Sequence, residues 1–494
     1  MKKFFILFLI FFVFFKVNFF SLDENVYSEN STSETNSTSK AKSGFAVIPE
    51  AKRPQAMTAE LQEKANAIID DEKSSGYEDT LRYGVAGEIV DLLSTFIKNN
   101  DFRFAQNVYD VFFETKAVAV REKIIEYFLH FKDPCIEDFA VEVLNDPYDE
   151  KDSTVSLVFK YVSEVKTKAA VPAILKLLEE DKDMYFAPAV TALGEIGGDT
   201  EAVYLADYFF ENDLSTNEKQ ALMRTLGKLR ATKTWSALSE IAQNEDENIF
   251  VRMYAAEAIG AMENTSSIPI LEKLYESSDP NLRQYVVKGL AFFPNDTTAQ
   301  KVLLEAIRDE YWKVRMEAID VAKKNKMQNA VSFLLYRAKN EKEKTVKYAA
   351  FAALATFRTN EARDFFTKLL NEKKASDDDK ARAVKVLLEN EMGESEVIAL
   401  SNEVMKDELH KNLRYAIAKE LLKNPKPSYE EICKLFLQSK DVATKNLGLD
   451  LWQKGNFTSL DSEVQTLANE KRESSAKKRA QKLLENKNGK TTQE

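Results

Sequence analysis

Few residues in this 494-residue sequence have side chains that commonly catalyse reactions or bind metals. There are two histidines, His130 and His410, and two cysteines, Cys135 and Cys433, and the members of each pair are far apart in the chain. This distribution allows neither a histidine–cysteine metal cluster nor a recognisable nucleophile–histidine pair. The densest acidic run, Asp377–Asp379, opens a predicted helix, where carboxylates are stabilised by the helix dipole. We therefore predict no catalytic residue, no metal site and no cofactor.

Basic residues that could form ion pairs recur at a regular spacing. In the stretch Ile249–Met262, Arg252 is followed after three, six and seven positions by small or apolar residues on one side of a helix. The same pattern returns at anchors spaced 33, 33, 31, 32, 32, 33 and 34 residues apart. These anchors are Phe186, which occupies the basic position in the first repeat of the series, and Lys219, Arg252, Arg283, Arg315, Lys347, Lys380 and Arg414. A period of this length indicates an array of helical repeats.

The elements that must position these anchors are pairs of helices. From Phe102 onward, two helices and short polar turns fill each period, with apolar residues on both helices. One such hairpin buries too little surface to be stable alone, whereas stacked hairpins share a continuous core. We therefore predict an all-α fold, an α-solenoid of about a dozen helical hairpins, in which the second helix of each pair lines an inner face.

Two phrases carry a resemblance to a known family. VRMYAAEAIG at Val251–Gly260 and ALGEIGG at Ala192–Gly198 resemble HEAT repeats, in particular the short class also found in phycobilisome-lyase-like proteins. The resemblance extends over about Phe102–Leu484. It implies a right-handed superhelix, and a structural ladder in which each basic side chain pairs with an acid in the preceding turn. A row that binds a ligand is the alternative for these positions. The ladder residues are Arg252, Arg283, Arg315, Lys347 and Arg414, and the acids placed to meet the first three are Asp246, Asp279 and Asp309.

The first position after each anchor points away from the packed side of the helix, and the first two positions after the anchors are rich in Tyr and Met. Such side chains bury area in protein contacts while tolerating water at one edge. We predict a partner-binding stripe, with half-buried packing as the alternative. The stripe consists of Met253, Tyr254, Tyr285, Met316, Tyr348 and Tyr415. Five positions after the anchors the charges are mixed and the whole chain has a net charge of −11, so a nucleic-acid groove is not expected.

The two ends of the chain differ from the repeats. Lys2 and Lys3 precede the apolar run Phe4–Phe15, which is typical of a signal peptide, with an uncleaved membrane anchor as the alternative. We predict a signal peptide over residues 1–28, a disordered linker over 29–56, capping helices over 57–100, HEAT-like repeats over 101–486 and a disordered tail over 487–494. Between Lys471 and Lys490 basic residues predominate. They predict either a solvated terminal cap or peripheral contact with an anionic membrane.

These features favour an exported scaffold, periplasmic or secreted, that binds a protein partner on its inner face without catalysis. We expect a monomeric array. The resemblance to phycobilisome-lyase-like proteins implies an alternative, a protein that handles a small pigment or tetrapyrrole, for which Phe292–Pro294 and Tyr311–Trp312 are the candidate region. A structural component of the cell envelope is a further alternative.

Overall fold

The structure is a computed structural model that describes Pro54 and residues 71–180, 183–406 and 409–491. All of these residues belong to the unit Pro49–Glu494. The predicted signal peptide (1–28), nearly all of the predicted linker (29–56) and the first part of the predicted capping helices lie outside the described residues.

Helices alternate between two rows, which we call the outer row and the inner row. The outer row consists of α1 (Asp71–Tyr83), α3 (Ala105–Glu114), α5 (Glu137–Asn145), α7 (Val171–Glu179), α9 (Asp199–Glu211), α11 (Trp235–Gln243), α13 (Ser267–Leu274), α15 (Thr297–Ala306), α17 (Val331–Asn340), α19 (Asn360–Asn371), α21 (Glu394–Val404), α23 (Glu430–Leu437) and α25 (Asp461–Ala468). The inner row consists of α2 (Ala86–Asn99), α4 (Val118–Phe131), α6 (Asp152–Val165), α8 (Asp183–Ile196), α10 (Thr216–Lys228), α12 (Ile249–Ala261), α14 (Pro280–Leu290), α16 (Trp312–Lys324), α18 (Lys344–Phe357), α20 (Asp377–Glu389), α22 (Lys411–Leu421), α24 (Val442–Gly455) and α26 (Ser475–Thr491).

The two rows form thirteen stacked hairpins over the described ranges, where no strand is found, so the predicted α-solenoid is confirmed. Every inner helix packs closely on the inner helices of the adjoining repeats, while outer helices pack less closely on one another. Inner helices run parallel and in register. For example, Tyr254 of α12 contacts Tyr285 of α14 with ring centroids 5.1 Å apart, and each tyrosine lies two positions after its anchor.

Most inner helices end in one residue with left-handed backbone geometry, which turns the chain towards the next outer helix. Glycine is the usual residue at such an end because a Cβ is unfavourable there. In the described part of this chain these ends are occupied by polar residues, seven of them with long side chains. They are Asn100, Lys132, Lys166, Arg230, Glu263, Lys326, Arg358, Glu391 and Asn456. Their φ angles lie between 50° and 68°.

The two ends of the array are less regular than its middle. Ser74–Gly76 lie inside α1, although serine and glycine are more common at helix ends, and the helix is interrupted between Tyr83 and the start of α2. The break lies at Gly84, where a Cβ would be 2.4 Å from the Thr80 carbonyl oxygen, and the Glu88 carboxylate caps the new helix by accepting from the Val85 N–H at 3.0 Å. At the other end α26 continues to Thr491, so most of the predicted tail is helical. Within the described ranges no helix is long and apolar enough to cross a bilayer.

Candidate functional site

The predicted ladder residues lie near the start of the inner helices, and the strongest contacts of three of them reach the next repeat. Arg283 donates from Nε and Nη2 to the Asp309 carboxylate, both at 2.8 Å. Arg315 does the same to Glu341 at 2.9 and 2.8 Å. Lys347 Nζ lies 2.7 Å from Asp379. Each pair therefore joins two consecutive repeats.

The expected pairing with acids of the preceding turn is wrong for Arg283 and Arg315. Their Nη1 groups donate instead to backbone carbonyls of that turn, for example Arg315 to the Asp309 and Glu310 oxygens, both at 2.9 Å. The edge formed by Nε and Nη2 is therefore directed towards the corresponding turn of the next repeat, where the paired carboxylate, Asp309 or Glu341, lies. Asp279 caps α14 by accepting from the backbone N–H groups of its first turn.

Electrostatics favour the ionised form of the ladder acids. Burial alone would raise the pKa of Asp309, but hydrogen bonds from Arg283, the Tyr311 N–H and the Tyr275 hydroxyl outweigh burial and hold the pKa below its ordinary value. The pKa of Glu341 is lowered in the same way, chiefly by Arg315 against the opposing effect of burial. Both carboxylates are therefore charged and hydrogen-bonded at neutral pH.

The two remaining ladder residues contact mainly backbone oxygens. Arg252 Nε donates to the Ala242 carbonyl at 3.2 Å. Arg414, only 1% exposed, donates to the Val404 carbonyl at 3.0 Å and to the Thr444 hydroxyl at 3.4 Å. Both side chains tie the inner helix to neighbouring segments.

A groove of about 650 Å³ lies on the surface of the inner row across α8, α10 and α12. Its long side chains are Glu195, Asn217, Gln220, Arg224, Lys228, Arg230, Tyr254, Glu257, Glu263 and Phe292. Its floor consists of small residues, namely Thr191, Gly194, Ala221, Thr225, Ala258 and Ala261. We call this feature the central groove.

Glycine spacing explains why the groove lies here. Gly194, Gly227 and Gly260 each lie eight positions after an anchor, on the side of the helix that faces the next repeat. A Cβ on Gly260 would be 2.4 Å from the Gly289 Cα, and one on Gly227 would be 2.8 Å from the Ala258 Cα. The backbones therefore approach more closely than side chains would allow, and the longer residues on either side form the walls.

Opposite charges and aromatic rings alternate along the central groove. Arg224 lies over the ring of Tyr254, with 5.6 Å between Cζ and the centroid, and its Nε is 3.8 Å from the Glu257 carboxylate. Beside the groove, Tyr285 contacts Tyr254, and Lys288 lies 4.2 Å from the ring centroid of Tyr285. Burial, followed by the hydrogen bond with Tyr254, raises the pKa of Tyr285, so this tyrosine stays neutral. The surface offers paired charges, hydroxyl groups and ring faces to a ligand.

The structure divides the predicted partner-binding stripe. Met253 is buried, so its side chain packs in the core. Tyr254 lines the central groove and Tyr285 adjoins it. The other three lie further along the inner row and are half-buried. Tyr415 donates to the Asp441 carboxylate at 2.7 Å, and Arg382 lies over the ring of Tyr348 at 5.7 Å. Met316 lies on α16, between the helices that carry Tyr285 and Tyr348. Partner binding by the stripe stays a prediction.

Sequence reasoning missed most of the groove's charged residues. Arg224 and Glu257 lie five positions after their anchors, in the row from which we inferred only mixed charge. Lys228, Glu195 and Phe292 lie further along or just after the inner helices. The repeated glycine eight positions after the anchor was the signal that could have indicated a close-packed centre.

The other candidate groups lie in structural contacts. His130 Nε2 is 2.8 Å from the Asn100 side chain, and His410 Nδ1 is 2.8 Å from Asp377. Cys135 and Cys433 are buried free thiols. Burial is the main cause that raises the pKa of each thiol, to about 12 for Cys433. Across the described ranges no three or more His, Cys, Asp or Glu side chains are grouped as metal ligands would be.

The two halves of the candidate pigment region lie at opposite ends of two adjacent inner helices, one after the C-terminal end of α14 and the other at the N-terminal end of α16. Phe292 follows the end of α14 and lines the central groove, whereas Trp312 begins α16. Because inner helices run parallel, one helix length, roughly 20 Å, separates these positions. Phe293, next to Phe292, is buried.

The basic C-terminal helix is partly neutralised by acids. Lys477 pairs with Glu473 at 2.6 Å, and Lys487 with Asp461 at 2.5 Å. Arg479 pairs with an acid on α24 of the preceding repeat. These contacts favour a terminal cap, and membrane contact stays a prediction.

Repeat length, paired helices and the ladder agree with a match to a protein family. The profile described as spirochaete HEAT repeat protein matches residues 81–483. This chain belongs to that family. The match begins in α1 and ends in α26, so it covers almost all of the spirochaete HEAT repeat array, including the central groove.

Comparisons with other proteins are more distant. Similar solved structures include YibA of Escherichia coli, at 16% identity, covering 51% of this chain and 91% of that one with a TM-score of 0.34. The CpcE–CpcF complex of phycocyanin lyase from Nostoc matches at 16% identity over 51% of this chain and 94% of that one, with a TM-score of 0.28. Kap121p bound to Pho4p matches at 10% identity over 84% of this chain and 53% of that one, with a TM-score of 0.37. No curated protein matches the sequence.

Proposed function

We propose that this spirochaete HEAT repeat protein is an exported, non-catalytic scaffold that binds a protein partner along its inner row. The observation that carries the proposal is the central groove, where a small-residue floor lies between Arg224, Tyr254 and Glu257. Arg and Tyr are enriched among the residues that dominate protein interfaces. The groove's paired charges and ring faces suit a polypeptide segment that carries both polar and apolar side chains.

The N-terminal sequence supports the export part of the proposal. The segment Lys2–Phe15 has the charge and apolar pattern of a signal peptide. An exported scaffold would meet its partner in the periplasm or outside the cell. Fractionation of cells that produce the full chain tests this step, because a cytoplasmic location would contradict it.

The groove is tested by affinity purification from envelope extracts, followed by affinity measurement with the purified partner. We expect the Arg224→Ala, Tyr254→Ala double variant to weaken binding at least about tenfold, since each residue has the character of an interface hot spot. Arg363→Ala, which removes an exposed arginine from outer helix α19, is the matched control. Equal affinity for the wild type, the double variant and the control would contradict the groove as the binding surface.

A further inference from the structure

A second pocket lies on the outer row, between the end of α15 and the helix α17. It has a volume of about 460 Å³ and is lined by Arg308, Ser332, Phe333, Tyr336 and Arg337. Outer helices pack less closely than inner ones, which leaves room for this pocket between consecutive repeats. The pocket shares no residue with the central groove.

Two guanidinium groups in this pocket lie against aromatic rings. The Arg308 Cζ is 5.8 Å from the ring centroid of Phe333, and the Arg337 Cζ is 4.9 Å from that of Tyr336. A guanidinium that covers a ring with its face still presents N–H donors at its edges. Tyr336 is 57% exposed, so much of this ring is open to a ligand. The pocket thus combines directed donors with apolar surface.

The charges around the pocket leave a positive surplus. Arg337 donates from Nη1 to Glu341 at 3.2 Å, but the same carboxylate already accepts two shorter hydrogen bonds from Arg315. One carboxylate therefore serves two guanidinium groups. The Arg337 Nε is buried and has no hydrogen-bond partner within the described part of the chain.

Arg308 is held only weakly by its own acid. It pairs with Glu305 one turn earlier, and both side chains are more than half exposed. Such an exposed ion pair contributes little and is readily exchanged for another anion. Both arginines can therefore interact with a ligand carboxylate.

We propose that this outer pocket binds an acidic peptide segment in which a carboxylate neighbours an aromatic side chain. The carboxylate accepts charge-assisted hydrogen bonds from the arginine edges, and the aromatic ring packs on Tyr336 and Phe333. A pocket of about 460 Å³ falls in the size range of ligand sites and has room for a few side chains. This contact is independent of the partner proposed for the central groove.

The binding test uses fluorescence polarisation with a labelled peptide in which one tryptophan is flanked on each side by two glutamates. We expect saturable binding to the full chain with a Kd below about 1 mM, and at least about tenfold weaker binding when glutamines replace the glutamates. Binding should also weaken as salt rises, because the contact is electrostatic. Absence of saturable binding, or equal binding by both peptides, would overturn the proposal.

Variants then locate the peptide. Arg308→Gln and Tyr336→Ser change exposed side chains, so the fold is retained, and each is expected to weaken binding at least about fivefold, a loss of roughly 1 kcal/mol. Arg363→Gln is the matched control on outer helix α19, and the groove variant Arg224→Ala is the second control. Neither control should alter the affinity. If Arg308→Gln binds as the wild type does, or if a control loses as much, the peptide binds elsewhere and the assignment is wrong.

Discussion

The N-terminal and central repeats build the same inner row from opposite kinds of residue. In the N-terminal repeats, aromatic side chains such as Phe128, Tyr127 and Tyr161 fill the space around α4 and α6, and all three are fully buried. In the central repeats, the inner helices meet through glycine and alanine, as where Gly260 lies against Gly289. The central groove lies over the second kind of core.

The difference shows how one repeat can vary its surface without changing its fold. Bulky core residues hold two inner helices apart, and their hydroxyl groups can bind backbone oxygens, as Tyr161 does by donating to the Asp133 carbonyl at 2.6 Å. Small residues let the backbones approach, so the longer side chains beside them extend from the surface as walls. Core volume therefore influences where a groove can form.

Removing a large aromatic residue tests the first kind of core and should have the largest effect. Phe128→Ala creates a cavity among the rings of Tyr109 and Tyr127, and we expect a loss of about 3–5 kcal/mol. Because each repeat contacts only its neighbours, the loss should be confined to α2–α6. Hydrogen exchange followed by mass spectrometry measures it. Tyr83→Ala, at a 73% exposed position, is the control, and faster exchange throughout the array would contradict local coupling.

The ladder pairs sharpen the comparison, because they are more deeply buried in the centre. Arg315 and Glu341 have side chains 9% and 3% exposed. Arg121 is the fourth residue of α4, as Arg315 is of α16, and it pairs at 3.3 Å with Glu150 before the next inner helix; these two side chains are 28% and 23% exposed. Arg315→Met leaves a buried carboxylate with only Arg337 as a charged partner, and we expect a loss of about 2–3 kcal/mol. Arg121→Met should cost about 0–1 kcal/mol. Urea unfolding monitored by circular dichroism compares the two variants, and equal losses would show that ladder burial does not matter.

A methyl group at the closest helix contact tests the second kind of core. Gly260→Ala places a Cβ against the Gly289 backbone, which has no side chain that could rotate away. We expect α12 and α14 to move apart at a cost of about 1–3 kcal/mol. The same shift should distort the central groove and weaken partner binding.

Gly87 in α2 provides the matched control for this substitution. A Cβ there would meet no atom within 4 Å, so Gly87→Ala should stabilise the helix by about 0.5–1 kcal/mol. Urea unfolding of both variants gives opposite signs if close approach is the cause. A loss of stability in both would indicate a general intolerance of alanine and would contradict the packing argument.

The regular part of this structure could be predicted from sequence, and the site could not. Helix pairing and the row of anchors follow from periodic burial, which a single sequence displays directly. The partners of Arg283 and Arg315 depend on where the turns place their carbonyls, which apolar spacing does not determine. The break at Gly84 depends on a close backbone approach that leaves no room for a Cβ and on a capping carboxylate. The central groove depends on contacts between three repeats, so its residues share no single stretch of sequence.

Substitutions at the left-handed helix ends should have the smallest effect on stability. These ends occur in both the N-terminal and the central repeats, so they should not distinguish the two regions. Lys132 and Lys326 have φ angles of 53° and 51°, where a Cβ is unfavourable. Replacing either lysine with glycine should stabilise the chain by up to about 1 kcal/mol, and the gain should be similar in the two regions because the strain is local to the backbone. Lys324→Gly, within α16, should instead cost about 0.5–1 kcal/mol. Lys132 also pairs with Glu164 at 3.0 Å, but both side chains are more than half exposed, so losing that pair should remove little of the gain. A clear loss of stability in Lys132→Gly alone would mean that this surface ion pair outweighs the relief of strain.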